Sequence, residues 1–340
     1  MTGRLTWLDL ARGFAVISMI VAHTSPWGGI LNASEYLTAP WFAMLIGISL
    51  LLAWEKAQGW VVFVFGNVAR GLLLIVLGDW LQRQYGQIDI VLQTLGLLII
   101  VLAPLVVLVR NRPAVWVGLG LVMALVSPLA MDATRVWLAG GQTTGWLARL
   151  LDLAVAGDHY RVSSFIAICG FGMAAVPWLL RTPAVAGIRG ALTAAGLLLG
   201  AAASYAIGRL GPWGADAYSG TTFEIVGAAL LSLTATWVCA WLVAAVGQQR
   251  VRAWLGAVVD TGRMALTAYT VQVLALALIV QWGTVGGSDD HWAIMLGVIA
   301  LCLGFSWAWL KVFDIGPLEW VLRLPARALT ATTSKTKHVT

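Results

Sequence analysis

The sequence predicts an all-α polytopic integral membrane protein, a bundle of about ten transmembrane helices, and three observations carry that prediction. Residues of the AVILMFWYC set fill 60% of the 340 positions and DEKR only 11%, against about 25% charged in a soluble domain. So few charges cannot cover a water-facing surface. Apolar runs of roughly 18 to 22 residues recur along the chain, the length a helix needs to cross a hydrocarbon core of about 30 Å. Of the 19 Trp residues, Trp41, Trp54, Trp60, Trp80, Trp137, Trp146, Trp282 and Trp292 stand near run ends, where aromatic belts meet the headgroups.

In chain order the spans are read at 5–23, 39–55, 62–80, 90–109, 114–131, 162–180, 190–208, 221–246, 264–283 and 292–310. The first is a retained anchor and not a cleaved signal, because Asp9 and Arg12 interrupt its apolar stretch and no small-residue cleavage site follows. Arg70 falls inside the third, so 60–68 is expected to run along the inner interface. Between the fifth and sixth spans, 145–156 has helical apolar spacing broken by Arg149 and Asp152, the pattern of a segment that lies flat or re-enters. Residues 328–340 are polar, basic and without periodicity, which predicts a disordered tail. Residues 1–327 then form one domain, since no linker or repeat divides them.

Charge placement orients the bundle. With a cytoplasmic N-terminus, Arg4, Lys56, Arg110, Arg112, Arg181, Arg189, Arg250, Arg252, Arg263, Lys311, Arg323 and the tail lysines fall inside, and Arg83, Arg135, Arg149, Arg161 and Arg209 outside, as the positive-inside rule requires. An even number of spans follows, with both termini cytoplasmic in a bacterial inner membrane. The formal charge of +6 is scattered among the spans, which excludes the basic face of a nucleic-acid binder. Cys169, Cys239 and Cys302 sit singly in apolar runs and predict packing, not disulfides or zinc. His291 beside Asp289 and Asp290 is no metal site either, since three adjacent residues do not converge on one ion.

Charges inside spans are costly and mark function by default, the structural alternative being an ion pair that locks helices together. Asp9 and Arg12, three residues apart on one helix, can partly neutralise each other. His23 follows Arg12 by eleven residues, and eleven steps of about 100° return to within roughly 20° of the starting direction. Arg12 and His23 therefore share a face, about 16 Å apart along the axis. An imidazole at a water-accessible mouth suits a general base, although a boundary histidine needs no such role. Weaker candidates are Asp89 and Gln93, spaced i and i+4 on one helix face. Asp158 and His159 can form a proton-handling pair ahead of the sixth span, next to Tyr160. Glu224 heads the eighth span, and Arg263, Tyr269 and Gln272 belong to the ninth. For each, helix-to-helix hydrogen bonding is the structural alternative.

The run RLTWLDLARG at 4–13, followed after ten residues by His23, resembles the first helix of the transmembrane acyltransferase superfamily. That superfamily includes YeiB-like proteins, heparan-alpha-glucosaminide N-acetyltransferases and family-3 O-acyltransferases. QIDIVLQ at 87–93 and the aromatic, Gly-rich stretch 160–172 are similar to the first two of these. SGTTFE at 219–224, GRMALTAY at 262–269 with Gln272, and GPLEWVLR at 316–323 resemble the actinobacterial YeiB-like branch. The chain departs from the heparan enzymes, which carry Asn where His23 stands. Thr94 replaces an Arg that often follows the Gln93 position, and Tyr218 stands where a His is expected.

What the resemblance implies is acyl transfer across the membrane. Acetyl-CoA or another acyl-CoA would be the donor, and an extracytoplasmic glycan, glycolipid or amino sugar the acceptor. His23 would be the general base, Arg12 would hold the donor or stabilise developing charge, and Asp9 would orient Arg12. Asp89, Gln93, His159, Tyr160, Glu224, Arg263, Tyr269 and Gln272 would line the substrate chamber. The implied partners are membrane lipid, acyl-CoA and the acceptor, without nucleic acid or metal; a homodimer is the commonest assembly for such a chain. The rival reading is a secondary transporter or exporter of an envelope precursor, with Asp9 and Arg12 as ion or substrate sites. No second Asp-x-x-Arg element matches the first.

Overall fold

The computed structural model describes residues 4–26, 30–84, 88–141, 143–282 and 290–325, so the tail predicted at 328–340 lies outside the described residues. Among those described, all regular structure is helical. The helices are α1 (Thr6–Thr24), α2 (Thr38–Trp54), α3 (Trp60–Gln84), α4 (Leu92–Val109), α5 (Pro113–Ala139), α6 (Trp146–Leu151) and α7 (Val162–Leu179). They continue with α8 (Thr182–Val185), α9 (Gly187–Leu210), α10 (Thr222–Val246), α11 (Gln248–Arg263), α12 (Ala265–Gln281), α13 (Trp292–Val312) and α14 (Pro317–Val321). Each of the ten apolar runs read from the sequence forms a helix, namely α1 to α5, α7, α9, α10, α12 and α13.

Among the described residues seven helices, α3, α4, α5, α7, α9, α10 and α13, are long and apolar enough to cross a bilayer, or eight spans if α11 and α12 count as one broken element. Asp9, Arg12 and His23 dilute the apolar run of α1, and α2 has only 17 residues. Both are nonetheless central. α1, α2, α7 and α10 pack on one another in the middle, and 83% of the apolar window of α7 is buried against 17% for α9 at the periphery. The outer helices turn Leu121, Val122, Leu125, Leu129, Leu192, Leu199, Leu296 and Leu301 outward. Water would penalise so continuous an apolar surface, and lipid does not.

Two sequence expectations are corrected. α3 is one unbroken helix of 25 residues, about 37 Å long at 1.5 Å per residue, so 60–68 is not a separate interfacial segment. It tolerates Arg70 because that side chain turns to a cavity inside the bundle. The stretch between the eighth and ninth spans, to which the sequence reading gives no element, is α11. Its buried Val251, Val258 and Val259 form one apolar stripe on an otherwise polar helix, and α12 leaves it at an 81° bend.

α11 crosses α1 backbone to backbone. A Cβ at Gly262 would stand 1.7 Å from the Asp9 carbonyl oxygen, and one at Gly13 would stand 2.0 Å from the Val258 carbonyl oxygen. Only glycine permits that approach. The crossing brings Arg263, at the end of α11, beside the start of α1, which sets the geometry of the site.

Candidate functional site

A cavity of about 280 Å³ opens among α1, α2, α3, α4, α12 and α14. Five arginines line it: Arg4, Arg12, Arg70, Arg263 and Arg323. Its one lining carboxylate, Glu319 on α14, is already engaged. Glu319 Oε1 accepts from the backbone N–H of Leu266 (2.8 Å) and Thr267 (3.1 Å), and Oε2 accepts from Thr267 Oγ1 (2.6 Å). It thereby caps the N-terminus of α12, where a negative charge is favourable. The remaining walls, including Leu45, Leu50, Leu74, Leu92, Leu95 and Ile99, are apolar.

Asp9 is 1% exposed and divides its two oxygens between cations. Arg4 Nε donates to Oδ2 at 2.5 Å, and Arg12 Nη1 donates to Oδ1 at 3.3 Å. Arg12 Nη2 also donates to Ser49 Oγ at 2.6 Å, and that hydroxyl donates in turn to the Leu45 carbonyl. Arg12 is thus held by Asp9 on one side and by Ser49 on the other. Arg263 is tied to Asp260 (3.0 Å) and to the Asp314 carbonyl (3.2 Å). The Nε atoms of Arg70 and Arg263 are buried without a hydrogen-bond partner. Arg4, Arg12, Arg70 and Arg263 face a cavity whose nearby carboxylates, Asp9, Asp260 and Glu319, are already shared out. In surroundings this apolar, such an excess of positive charge suits an anionic occupant.

At its far end the cavity reaches Val91, Leu92 and Tyr269, whose hydroxyl is buried without a hydrogen-bond partner. Three residues further along α12, about 4.5 Å of helix rise, stands Gln272, wholly buried. Its amide nitrogen lies 2.9 Å from His23 Nδ1. Arg12 and His23 therefore meet different neighbours. Arg12 lines the cavity, whereas His23, half-buried, stands behind Gln272 and is not among the lining residues.

The remaining candidates gather where α4, α7 and α10 begin, and three pairings differ from those read in the sequence. Asp89 precedes the first turn of α4 and shares no helix face with Gln93. It pairs instead with His159, Oδ2 to Nδ1 at 2.5 Å. Gln93 accepts from Arg149 Nη2 at 3.2 Å, and the same nitrogen holds Asp79 at 2.8 Å, pinning α6 to α3 and α4. Asp158 meets Arg135 at 3.0 Å and is not the partner of His159. The His159 ring packs against Tyr218 (5.9 Å between centroids) and Tyr160 (6.2 Å), and the two tyrosines meet edge to face at 5.4 Å.

Arg161, 2% exposed, holds this cluster. It donates to the carbonyls of Gly157 (2.6 Å), Asp158 (3.2 Å) and Tyr218 (2.7 Å). Burial lowers its pKa, and buried Glu224 acts in the opposite direction. Tyr218 has φ +62, a left-handed conformation that costs a non-glycine residue energy and persists where contacts fix it. Glu224 lies beside this clamp, away from the arginine cavity. Sequence reasoning passed over Arg4, Ser49, Arg70, Arg161, Tyr218, Glu319 and Arg323 as site residues. The signals available were the charge of Arg70 inside an apolar run and Glu319 three residues after Gly316. Neither discloses what it meets.

Fold and surface define a polytopic helical membrane protein with an arginine-lined cavity. Residues 173–328 match the model of a family described as "Protein of unknown function (DUF418)". The match runs from within α7 past α14 and includes Glu224, Arg263, Tyr269, Gln272 and Glu319, while Asp9, Arg12, His23, Asp89 and His159 precede it. No curated protein matches the chain.

Proposed function

We propose that the protein is a membrane-embedded acyltransferase that moves an acetyl or other acyl group from cytoplasmic acyl-CoA to a hydroxyl or amine of an extracytoplasmic glycan, glycolipid or amino sugar. The observation that carries this reading is the cavity. It collects five arginines at the end placed inside by the charge bias, and its other end lies one helical turn from the Gln272–His23 pair. A phosphate-bearing thioester has the chemistry such a cavity accepts, with anions at the guanidinium groups and an apolar chain along Leu45, Leu74, Leu95 and Ile99. Arg12, held by Asp9 and Ser49, presents a permanent cation to the donor or to the oxygen on which negative charge develops. In the reaction an acceptor O–H or N–H is lost, a C–O or C–N bond forms, the C–S bond breaks, and the sulfur ends as a thiol, with the His23 imidazole serving the reacting groups.

Purified protein incubated with labelled acetyl-CoA and a lipid extract of its host tests this directly. Labelled acceptor and free CoA thiol should form together in the parent, and both should fall at least 100-fold in His23→Ala, the loss typical of a removed acid–base group. If His23→Ala keeps the parent rate and an unchanged melting temperature, His23 has no part in the reaction. Passage of an intact substrate through proteoliposomes without thiol release would instead favour an exporter.

A further inference from the structure

The imidazoles of His159 and His23 are held by opposite kinds of partner. His159 Nδ1 faces a carboxylate oxygen of Asp89 at 2.5 Å. A carboxylate only accepts, so the proton of the neutral ring sits on Nδ1 and the Nε2 lone pair is free. His23 Nδ1 faces the amide nitrogen of Gln272 at 2.9 Å. With its amide nitrogen toward the ring Gln272 donates, and the neutral ring then carries its proton on Nε2. One ring is poised to take a proton and the other to donate a hydrogen bond.

Position supports the same division. His159 and Asp89 are each about half exposed, 54% and 55%, where a water-borne acceptor can reach them. The Tyr160 and Tyr218 rings fix the plane of the imidazole, and Arg161 locks the Tyr218 loop through its carbonyl. Asp89 is two residues from Val91, which lines the cavity. The dyad therefore stands just beyond the end of the cavity opposite the arginines.

We propose that Asp89 and His159 form an acid–base dyad on the acceptor side of the acyl transfer, while His23, backed by Gln272, serves the thioester side. This rests on the acyltransferase reading and assigns its proton traffic. His159 Nε2 takes the acceptor proton as the acceptor oxygen or nitrogen bonds to the acyl carbon. The C–S bond breaks and the sulfur leaves as a thiolate, to which His23 Nε2–H donates a hydrogen bond without losing its proton. The thiolate takes its proton from water, and His159 returns the acceptor proton to water. Asp89 is a positioning residue that sets the tautomer of His159.

Crossed rescue separates the two rings. His159→Asn should lower kcat at least 100-fold with an unchanged donor KM and melting temperature. Hydroxylamine, a nucleophile that attacks without a base, should restore acetohydroxamate formation in His159→Asn and leave His23→Gln inactive. Asp89→Asn should lower kcat about tenfold or more with the acceptor KM unchanged, while Asp89→Glu retains activity. A His159→Asn protein that acylates its acceptor at the parent rate overturns the dyad. ¹⁵N spectra of the imidazoles decide the matter independently of turnover: an Nδ1–H tautomer for His159 is required, and an Nε2–H tautomer refutes the proposal. A parent that transfers no acyl group refutes the acyltransferase reading alone, and the tautomer then still decides whether the dyad exists.

Discussion

At the α1–α11 crossing, guanidinium groups outnumber the carboxylates available to them, and the surplus faces a cavity. Where α4, α7 and α10 begin the balance is reversed. Arg135, Arg149, Arg161 and Arg209 are each engaged by carboxylates, side-chain oxygens or backbone carbonyls, and the groups left exposed are an imidazole and a carboxylate, with two tyrosines packed behind them. Both regions use arginine, yet only the first leaves positive charge for a ligand. An ion pair that is complete locks helices together, whereas an incomplete one recruits an anion.

Removing one arginine from each region tests this contrast most severely. Arg12→Ala should weaken acyl-CoA binding about 100-fold, equivalent to about 2.7 kcal/mol, because two charge-assisted contacts to the donor are lost. Arg161→Gln should leave that affinity within about twofold while it loosens the Tyr218 loop. Calorimetric titration of both variants reads the difference, and equal losses would erase the distinction between the regions.

The crossing itself comes next. Gly262→Ala places a methyl group against the Asp9 carbonyl and must separate α1 from α11. A destabilisation of about 2 kcal/mol is expected from such overpacking, seen as a lower melting temperature together with weakened donor binding. Gly297→Ala, which meets open space, should leave both unchanged. If the two substitutions behave alike, the close crossing does not hold the site.

The tyrosine region has its own signature in pH. Burial, reinforced by nearby Asp89 and Glu35 for Tyr160 and by Tyr160, Glu35 and Glu224 for Tyr218, raises both hydroxyl pKa values. Because the folded values are raised, the stabilising contribution of the protonated forms is intact below the ordinary tyrosine value of about 10 and is withdrawn as pH rises beyond it. Thermal midpoints should therefore fall above about pH 10, and less steeply in Tyr218→Phe. The smallest effect belongs to Arg149→Ala. Its partners Asp79 and Gln93 are met by a side chain 60% exposed, so stability should change by less than about 1 kcal/mol.

Much of the architecture is legible in the sequence because lipid imposes length and apolarity on each span, and all ten apolar runs are helices. α11 escapes because polar residues interrupt it. Its stripe of Val251, Val258 and Val259 is visible only when the period is sought in a segment that reads as a loop. In the site, Asp9 and Arg12 are legible because they are neighbours on one helix. The convergence of Arg4, Arg70, Arg263 and Arg323 is not, since it joins helices far apart in the chain. The partners of His159 and Gln93 were missed for a related reason. Asp89 lies just before α4 begins, so helical spacing does not govern where it points.

Sided proteoliposomes test the central claim most directly. Acetyl-CoA labelled in its acyl group is supplied only on the face that carries Arg4 and Arg323, and the acceptor only on the opposite face. The account predicts that labelled acceptor appears across the membrane in equal amount to the thiol released on the donor side, and that Arg12→Ala abolishes both. Acylation that occurs only when donor and acceptor share one face, or label that crosses with no thiol released, would contradict it.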